Sequence, residues 1–302
     1  MSKTILLAGG TGLIGSRLAE MLRTSGHEVL LLSRRPNPSK NIFGWNPAAG
    51  TVDDEAVRRA DFVVNLAGAG IADGRWTASR KREIIESRTQ SARTLRDAFQ
   101  RTGHQPQAYI SASAIGFYGN AGDRLMHETD PPGTDGFMPP TCAAWEQAAD
   151  EVAALGIRTA KLRIGIVLAK EGGALAEIAK PLRFGLGTYF ADGQAWYSWV
   201  HRDDVCRMFV WVIENQAVAG VFNAVAPAPA RNIELVKAAA KAMRQPAVFV
   251  PAPALALRVV LGEMADVVLN STRVSSEKIE RSGFKFQFPD LAGALQDIFR
   301  KN

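Results

Sequence analysis

The feature that most constrains this chain lies almost at its start. Gly9-Gly10-Thr11-Gly12-Leu13-Ile14-Gly15 follows the apolar run Thr4 to Ala8 and opens an amphipathic stretch with Leu13, Ile14, Leu18, Met21 and Leu22 on one face. Glycines 9, 12 and 15 permit a tight turn and let backbone N–H groups approach a pyrophosphate at the positive end of a helix. They also let that helix sit close on the preceding strand. Strand, glycine turn and helix in this order predict a parallel sheet covered by helices, with Gly9, Thr11, Gly12, Leu13, Ile14 and Gly15 around a phosphate group.

The rest of the chain keeps the same alternation. Strands are expected at Thr4 to Ala8, Glu28 to Leu32, Phe62 to Leu66, Ala108 to Ser111 and Arg158 to Ile164. Between the third and fourth, Thr77 to Thr102 carries Ile84, Ile85, Arg88, Ala92, Leu95 and Phe99 on one stripe, the period of a long helix on a sheet. A further helix is expected to begin near Thr141, as its cap, with Trp145, Ala148, Ala149 and Val152 inward. Asp203 or Asp204 is expected to start another. Prolines 227, 229, 246, 251 and 253 break the later chain into short helices, and a last helix runs through Leu291, Leu295 and Phe299. The fold class this predicts is α/β, a Rossmann-type doubly wound parallel sheet with a small, mostly helical C-terminal substrate lobe. The dinucleotide domain is placed at 1–225, with 166–200 contributing to the lobe, and the lobe itself at 226–302.

Charge and cysteine usage narrow the class. The 36 basic residues exceed the 30 acidic ones by six, but they are spread among acids, so no nucleic-acid partner is expected. A mild positive excess suits a ligand that carries phosphates. Only Cys142 and Cys206 occur, at no metal or disulfide spacing, which points to a reducing, cytoplasmic compartment. Met1-Ser2-Lys3-Thr4 runs directly into the first strand with no signal-peptide pattern, and no apolar run approaches the ~20 residues of a membrane span. The expected partner is a small-molecule substrate, without a membrane, for a monomer or homodimer.

The second strand selects the cofactor. It ends in Ser33-Arg34-Arg35, and no Asp or Glu lies between Glu28 and Asp53. A carboxylate there would bond the ribose hydroxyl of NAD and repel a phosphate. Guanidinium groups grip phosphate through paired charge-assisted bonds, so Ser33, Arg34 and Arg35 form a 2′-phosphate pocket and the cofactor is NADP. Asn65-Leu66-Ala67-Gly68-Ala69-Gly70 ends the next strand, where small residues let the backbone approach a flat ligand, so Leu66, Ala67 and Gly68 are cofactor contacts.

These residues, with Glu86-Ser87-Arg88, Ser111-Ala112-Ser113-Ala114-Ile115-Gly116-Phe117-Tyr118-Gly119 and Trp199-Val200-His201-Arg202-Asp203-Asp204, resemble the atypical extended short-chain dehydrogenase/reductase branch of epimerase-like proteins. Leu261-Gly262-Glu263-Met264-Ala265-Asp266 and Gly283-Phe284 look like the C-terminal module of that branch. The resemblance implies a catalytic hydroxyl at the end of the strand after the long helix and a Tyr-x-x-x-Lys pair on the next helix. Ser113 falls on the hydroxyl, with Ser111 one inward-facing step behind it among the cofactor contacts. Met138 and Cys142 stand where the tyrosine and lysine belong, and a thioether has no proton to exchange.

Tyr118 either relays the proton in place of that pair or packs beside the cofactor. Arg88 either holds a cofactor or substrate phosphate or extends to water from a helix edge. Asp73-Gly74-Arg75-Trp76 and Lys81 are expected to shape the pocket, His201 to brace the substrate lobe, and Cys142 to fill the core. Two functions follow: an NADP-dependent epimerase or reductase, with a nucleotide sugar as the substrate class that the resemblance implies, or an NADP(H)-binding regulatory protein that has lost its chemistry.

Overall fold

Apolar runs punctuated by glycine and charge become strands, and the periodic stretches between them become helices. The computed structural model describes residues 2–300. Its first half holds β1 (Thr4–Ala8), α1 (Leu13–Thr24), β2 (Glu28–Ser33), β3 (Ile42–Asn46), β4 (Thr51–Val52), α2 (Asp54–Arg59), β5 (Phe62–Asn65), α3 (Ala78–Thr102) and β6 (Ala108–Ala114). Next come β7 (Leu125–Met126), α4 (Met138–Ala153), β8 (Thr159–Ile164), β9 (Ile166–Leu168), α5 (Gly173–Leu182), β10 (Leu186–Phe190), β11 (Trp196–Tyr197) and β12 (Trp199–His201). The chain ends with α6 (Arg202–Glu214), β13 (Gly220–Ala224), β14 (Ala230–Arg231), α7 (Asn232–Ala242), β15 (Val248–Ala252), α8 (Ala254–Leu261), α9 (Ala265–Leu269), β16 (Arg273–Val274), α10 (Glu277–Arg281) and α11 (Leu291–Arg300). Among the described residues no helix is long and apolar enough to cross a membrane.

Two compact units result. The first takes in the chain up to Ser113, Thr141–Leu162 and Cys206–Phe222. An eight-stranded sheet runs through it in the order β13-β8-β6-β5-β1-β2-β3-β4. β1 pairs in parallel with β2 on one side and β5 on the other, so the chain order reverses beside it. Ligands of open α/β sheets bind at such a switch point, outside the carboxyl ends of the strands. Leu6, Leu30, Val63, Leu95, Phe99, Tyr109, Ala148 and Val152 pack into one buried core. Asp53 caps α2 by accepting the N–H groups of Glu55 and Ala56, and Thr77 caps α3.

The second unit comprises Ala114–Pro140, Arg163–Val205 and the chain from Asn223 onward. It therefore takes in both 114–140 and 166–200. Its strands pair in short ladders, β10 with β15, β11 with β14, β12 with β9 and β16 with β7. Leu175, Trp199, Leu235 and Leu295 lie in its core. Asp204 accepts the N–H groups of Gln287 (2.9 Å) and Phe288 (2.8 Å), and the His201 ring lies 3.9 Å from that of Phe288. His201 Nε2 stands 3.5 Å from Asp297, so the His-Arg-Asp-Asp turn ties down the C-terminal segment.

One expected boundary is corrected. α4 begins at Met138, and Thr141 is buried inside it rather than capping it. Pro139 and Pro140 occupy the first turn, where a missing N–H removes no helical bond. The short strands β3 and β4, unread in the sequence, extend the sheet beyond β2.

Candidate functional site

The glycine loop is built so that no other residue fits at two of its positions. Gly9 has φ of 78°, and a β-carbon on it would lie 2.7 Å from the carbonyl of Leu66 at the exit of β5. A β-carbon on Gly15 would lie 2.2 Å from the Gly9 carbonyl oxygen. The loop and the strand exit are thereby pressed together at the switch point. Gly12 donates its N–H to the Gly9 carbonyl at 3.1 Å and caps α1 with no side chain bonding the first-turn amides. That turn carries no acidic residue, and Thr11 and Gly12 are exposed. Open amides at the positive end of a 12-residue helix are an anion site.

At the end of β2 the Ser33 hydroxyl accepts the N–H of Arg35 at 3.1 Å. Arg34 and Arg35 are exposed, and neither makes an ion pair among the described residues. Arg59, by contrast, is held by Glu28 at 2.6 Å.

Buried polar groups set the shape of the β5 exit. Asn65 Nδ2 donates to Ser91 Oγ (3.0 Å) and Tyr109 Oη (2.9 Å), while Asn65 Oδ1 accepts the N–H of Ala67 (3.1 Å). Burial pushes the Tyr109 phenol up to about 12, so it stays neutral. Beyond the exit, a β-carbon on Gly68 would stand 3.1 Å from Arg88 Cζ. Arg88 is only 9% exposed; its Nη1 donates to the carbonyls of Ala69 (3.0 Å) and Ile84 (2.9 Å), and its guanidinium lies 4.9 Å from the Trp145 ring. Burial lowers its pKa, with nearby Cys142 opposing that effect. Its Nε is buried without a hydrogen-bond partner. An unmet donor in a buried cation costs roughly 1–3 kcal/mol or more. A ligand acceptor would remove that cost, so Arg88 fits the phosphate-bearing group that the glycine loop and Arg34 also suit.

A second group of buried polar side chains centres on β6. Ser111 is buried, and its Oγ donates to the Ala112 carbonyl at 2.9 Å beside the Tyr109 phenol. Ser113 Oγ donates to Glu146 Oε1 at 2.7 Å, with 2% of the serine and 6% of the glutamate exposed. The sequence reading did not single out Glu146. The signal was there: a carboxylate four residues after Cys142, next to inward-facing Trp145 on an apolar helix. Cys142 is fully buried, as expected of a core residue.

Tyr118 is held differently, inside the second unit. Its hydroxyl donates to Asn223 Oδ1 at 2.7 Å and accepts from Arg163 Nη1 at 2.9 Å. Burial pushes the phenol up to about 12 in spite of the Arg163 charge. Arg163 also stacks 3.5 Å from the Phe117 ring, and Glu128 accepts the N–H of Asn223 at 2.8 Å. None of these three partners was singled out from the sequence. A cavity of about 370 Å³ lies in this unit, lined among others by Tyr118, Asn120, Arg124, Pro132, Gly133 and Asp135.

The Asp73 to Trp76 loop is braced from within the first unit. Trp76 Nε1 donates to the Ile71 carbonyl at 2.8 Å, and Arg80 bonds the Gly70 carbonyl and approaches Asp73 at 3.4 Å. Among the described residues no cluster of three metal-ligating side chains occurs.

A parallel sheet with a glycine loop at its switch point and a serine at the end of β6 defines a dinucleotide-binding protein of the short-chain dehydrogenase/reductase type. The chain belongs to the NAD dependent epimerase/dehydratase family, whose sequence model matches residues 5–224. Residues 252–298 match a domain of unknown function, DUF1731. An epimerase family protein of Mycobacterium leprae is 35% identical over 292 residues, 96% of this chain and 94% of its own. One from Staphylococcus aureus is 35% identical over 303 residues, 99% of this chain and 100% of its own. The human epimerase family protein SDR39U1, solved with NADPH, superposes with a TM-score of 0.89 at 30% identity, covering 99% of this chain and 100% of that one. A nucleoside-diphosphate sugar epimerase from Corynebacterium glutamicum, also 30% identical, superposes at 0.79 over 99% of this chain and 58% of its own.

Proposed function

We propose that this chain binds NADP(H) and uses it for hydride exchange with a small molecule bearing a hydroxyl or carbonyl, a nucleotide sugar being the class its family suggests. The observation that carries the reading is the exposed Arg34 and Arg35 at the end of β2, which make no ion pair among the described residues, with no carboxylate between Glu28 and Asp53. Guanidinium groups there favour the 2′-phosphate that distinguishes NADP from NAD. The human relative solved with NADPH supports the same choice.

Gly9, Thr11 and Gly12, with the amides of Leu13, Ile14 and Gly15, would hold the pyrophosphate. Ser33, Arg34 and Arg35 would hold the 2′-phosphate, and Leu66, Ala67, Gly68 and Arg88 would line the strand exit. Ser111 would stand among the cofactor contacts on β6. When bound, the nicotinamide supplies or takes up a hydride. Ser113 holds the reacting oxygen by hydrogen bond, whereas the Tyr118 hydroxyl is committed to Asn223 and Arg163 and relays no proton. Two buried cysteines, Cys142 and Cys206, at no disulfide or metal spacing fit a reducing compartment, the cytoplasm.

A second reading, NADP(H) sensing without turnover, is favoured by Met138 and Cys142 in place of the tyrosine and lysine. Fluorescence titration is expected to give NADPH an affinity roughly 10- to 100-fold above NADH, the value of one or two charged hydrogen bonds. Equal affinities would overturn the cofactor choice. Consumption of NADPH with a panel of quinones, aldehydes and oxidised sugars separates the readings; a panel without turnover leaves the sensor.

A further inference from the structure

We infer that Glu146, acting through Ser113, handles the proton that the absent tyrosine-lysine pair would otherwise exchange. The inference rests on the NADP(H)-dependent reading and names the proton path it needs.

A serine hydroxyl is too weakly acidic to exchange protons at neutral pH unless a neighbouring group takes its proton up. β6 delivers Ser113 so that its Oγ–H already points at Glu146 Oε1, 2.7 Å away, in a buried setting. The remaining lone pairs of Oγ are then free to accept a hydrogen bond from a bound alcohol. Other candidates fail on chemistry or geometry. Met138 has no proton to exchange, Cys142 is sealed in the core, and the Tyr118 hydroxyl is engaged on both sides by Asn223 and Arg163.

The step balances without a further reagent. In the oxidative direction the substrate O–H proton passes to Ser113 Oγ while the Ser113 proton passes to Glu146 Oε1. The carbinol C–H bond breaks, its electron pair leaves as hydride to NADP⁺, and the C=O bond forms. Reduction runs the same transfers backwards, from a protonated Glu146. Because it works through Ser113, Glu146 is a positioning residue and the serine is the catalytic one.

Cys142 stands one turn earlier on α4 and Asp150 one turn later, the latter tied to Lys161 of β8 at 2.6 Å. Arg88 of α3 reaches the neighbouring Trp145, and Ser111 and Ser113 are the polar groups of β6 on this path.

The test uses the full chain loaded with NADPH, the quinone and aldehyde panel, and the variants Glu146→Gln, Glu146→Asp, Ser113→Ala and Tyr118→Phe, each checked for an intact melt. Glu146→Gln is expected to lower kcat roughly 10²- to 10⁴-fold, the range of a lost acid-base group, with KM and NADPH affinity near wild type. It should also remove one limb of the kcat pH profile, which Tyr118→Phe retains and Glu146→Asp partly restores. Independently of turnover, the infrared carboxyl band that Glu146→Gln abolishes should shift in Ser113→Ala. An unchanged pH profile in Glu146→Gln, or an unmoved band in Ser113→Ala, overturns the relay and leaves the NADP(H)-dependent reading standing. A wild type that consumes no NADPH removes that reading, and the relay falls with it.

Discussion

The glycine loop and the hydroxyls of β6 and the segment after it treat their polar groups in opposite ways. At the glycine loop, the first-turn amides of α1 have no side-chain cap, Arg34 and Arg35 have no counter-ion among the described residues, and Arg88 Nε has no partner. Around β6 and the segment that follows it, Ser113 is bonded to Glu146, and Tyr118 to both Asn223 and Arg163. Unmet donors and uncompensated positive charge cost stability until a ligand meets them, whereas a satisfied network stabilises the protein on its own. The first is therefore built to be completed by an anion, and the second to hold its hydroxyls in place beforehand. It follows that NADPH should raise the melting temperature through the first alone.

The largest effect is expected from breaking the glycine loop at its narrowest point. Gly9→Val places a branched side chain at φ of 78° and within 2.7 Å of the Leu66 carbonyl. Backbone strain and overpacking each cost roughly 1–3 kcal/mol, and the loop must move away from β5 to relieve them. NADPH binding should disappear in fluorescence titration, and the melting temperature of the unliganded protein should fall. Gly12→Ala separates strain from ligand contact: its β-carbon would meet only the Gly9 carbonyl, at 3.4 Å, so it should weaken NADPH binding while leaving the melting temperature of the unliganded protein near wild type. A Gly9→Val protein that binds NADPH like wild type would mean that this loop is not the cradle.

Arg88→Met sharpens the comparison, since Arg88 belongs partly to each pattern. Two of its bonds go to the Ala69 and Ile84 carbonyls, and its Nε goes to nothing. If Nε awaits the cofactor, the substitution should weaken NADPH about 10-fold or more, the value of a charged hydrogen bond. Stability in urea should also fall, by roughly 1–3 kcal/mol, because the two carbonyls lose their donor. A loss of stability with unchanged affinity would make Arg88 a brace for the 69–84 segment only.

The same contrast explains what was legible in the sequence. The glycine loop, the arginines after β2, the long α3 and the inward stripe containing Arg88 all declare themselves through local spacing and periodicity. The start of α4 was misplaced because a threonine suggested a cap, while Pro139 and Pro140 had already set the first turn. β3 was missed because Gly44 interrupts its apolar run and Pro36, Pro38 and Pro47 flank it, and β4 because two residues carry no period. Glu146, Arg163 and Asn223 lie 33, 45 and 105 residues from the hydroxyls they bond, and no local pattern encodes such pairings. Open groups at element ends are readable because their chemistry is unanswered nearby, and closed networks are not because folding supplies the answer.

A smaller effect is expected from Arg34→Ala. The side chain is exposed, so its attraction to a phosphate is weakened by counter-ions over a screening length of about 8 Å at physiological ionic strength. The preference for NADPH over NADH should narrow about 10-fold at low salt and less at high salt, with NADH affinity unaltered. A preference that does not move would place the 2′-phosphate elsewhere and remove the main support for NADP.

Tyr118→Phe should do least near neutral pH, and its effect is expected on the alkaline side. Burial raises both Tyr118 and Tyr109 from the ordinary 10 to about 12. Between these values the unfolded chain has released its phenolic protons while the folded chain still binds them. Stability from these groups is therefore fully present below about pH 10 and is lost as pH rises through about 12. Tyr118→Phe should flatten this decline in urea melts, Tyr109→Phe should do likewise, and the double variant should flatten it further. NADPH affinity should stay at the wild-type value in Tyr118→Phe, because its hydroxyl answers to Asn223 and Arg163 and not to an open donor. A Tyr118→Phe protein that lost NADPH affinity, or whose neutral-pH turnover collapsed as far as that of Ser113→Ala, would show that the Tyr118 hydroxyl awaits a ligand too and would erase the distinction between open and satisfied polar groups.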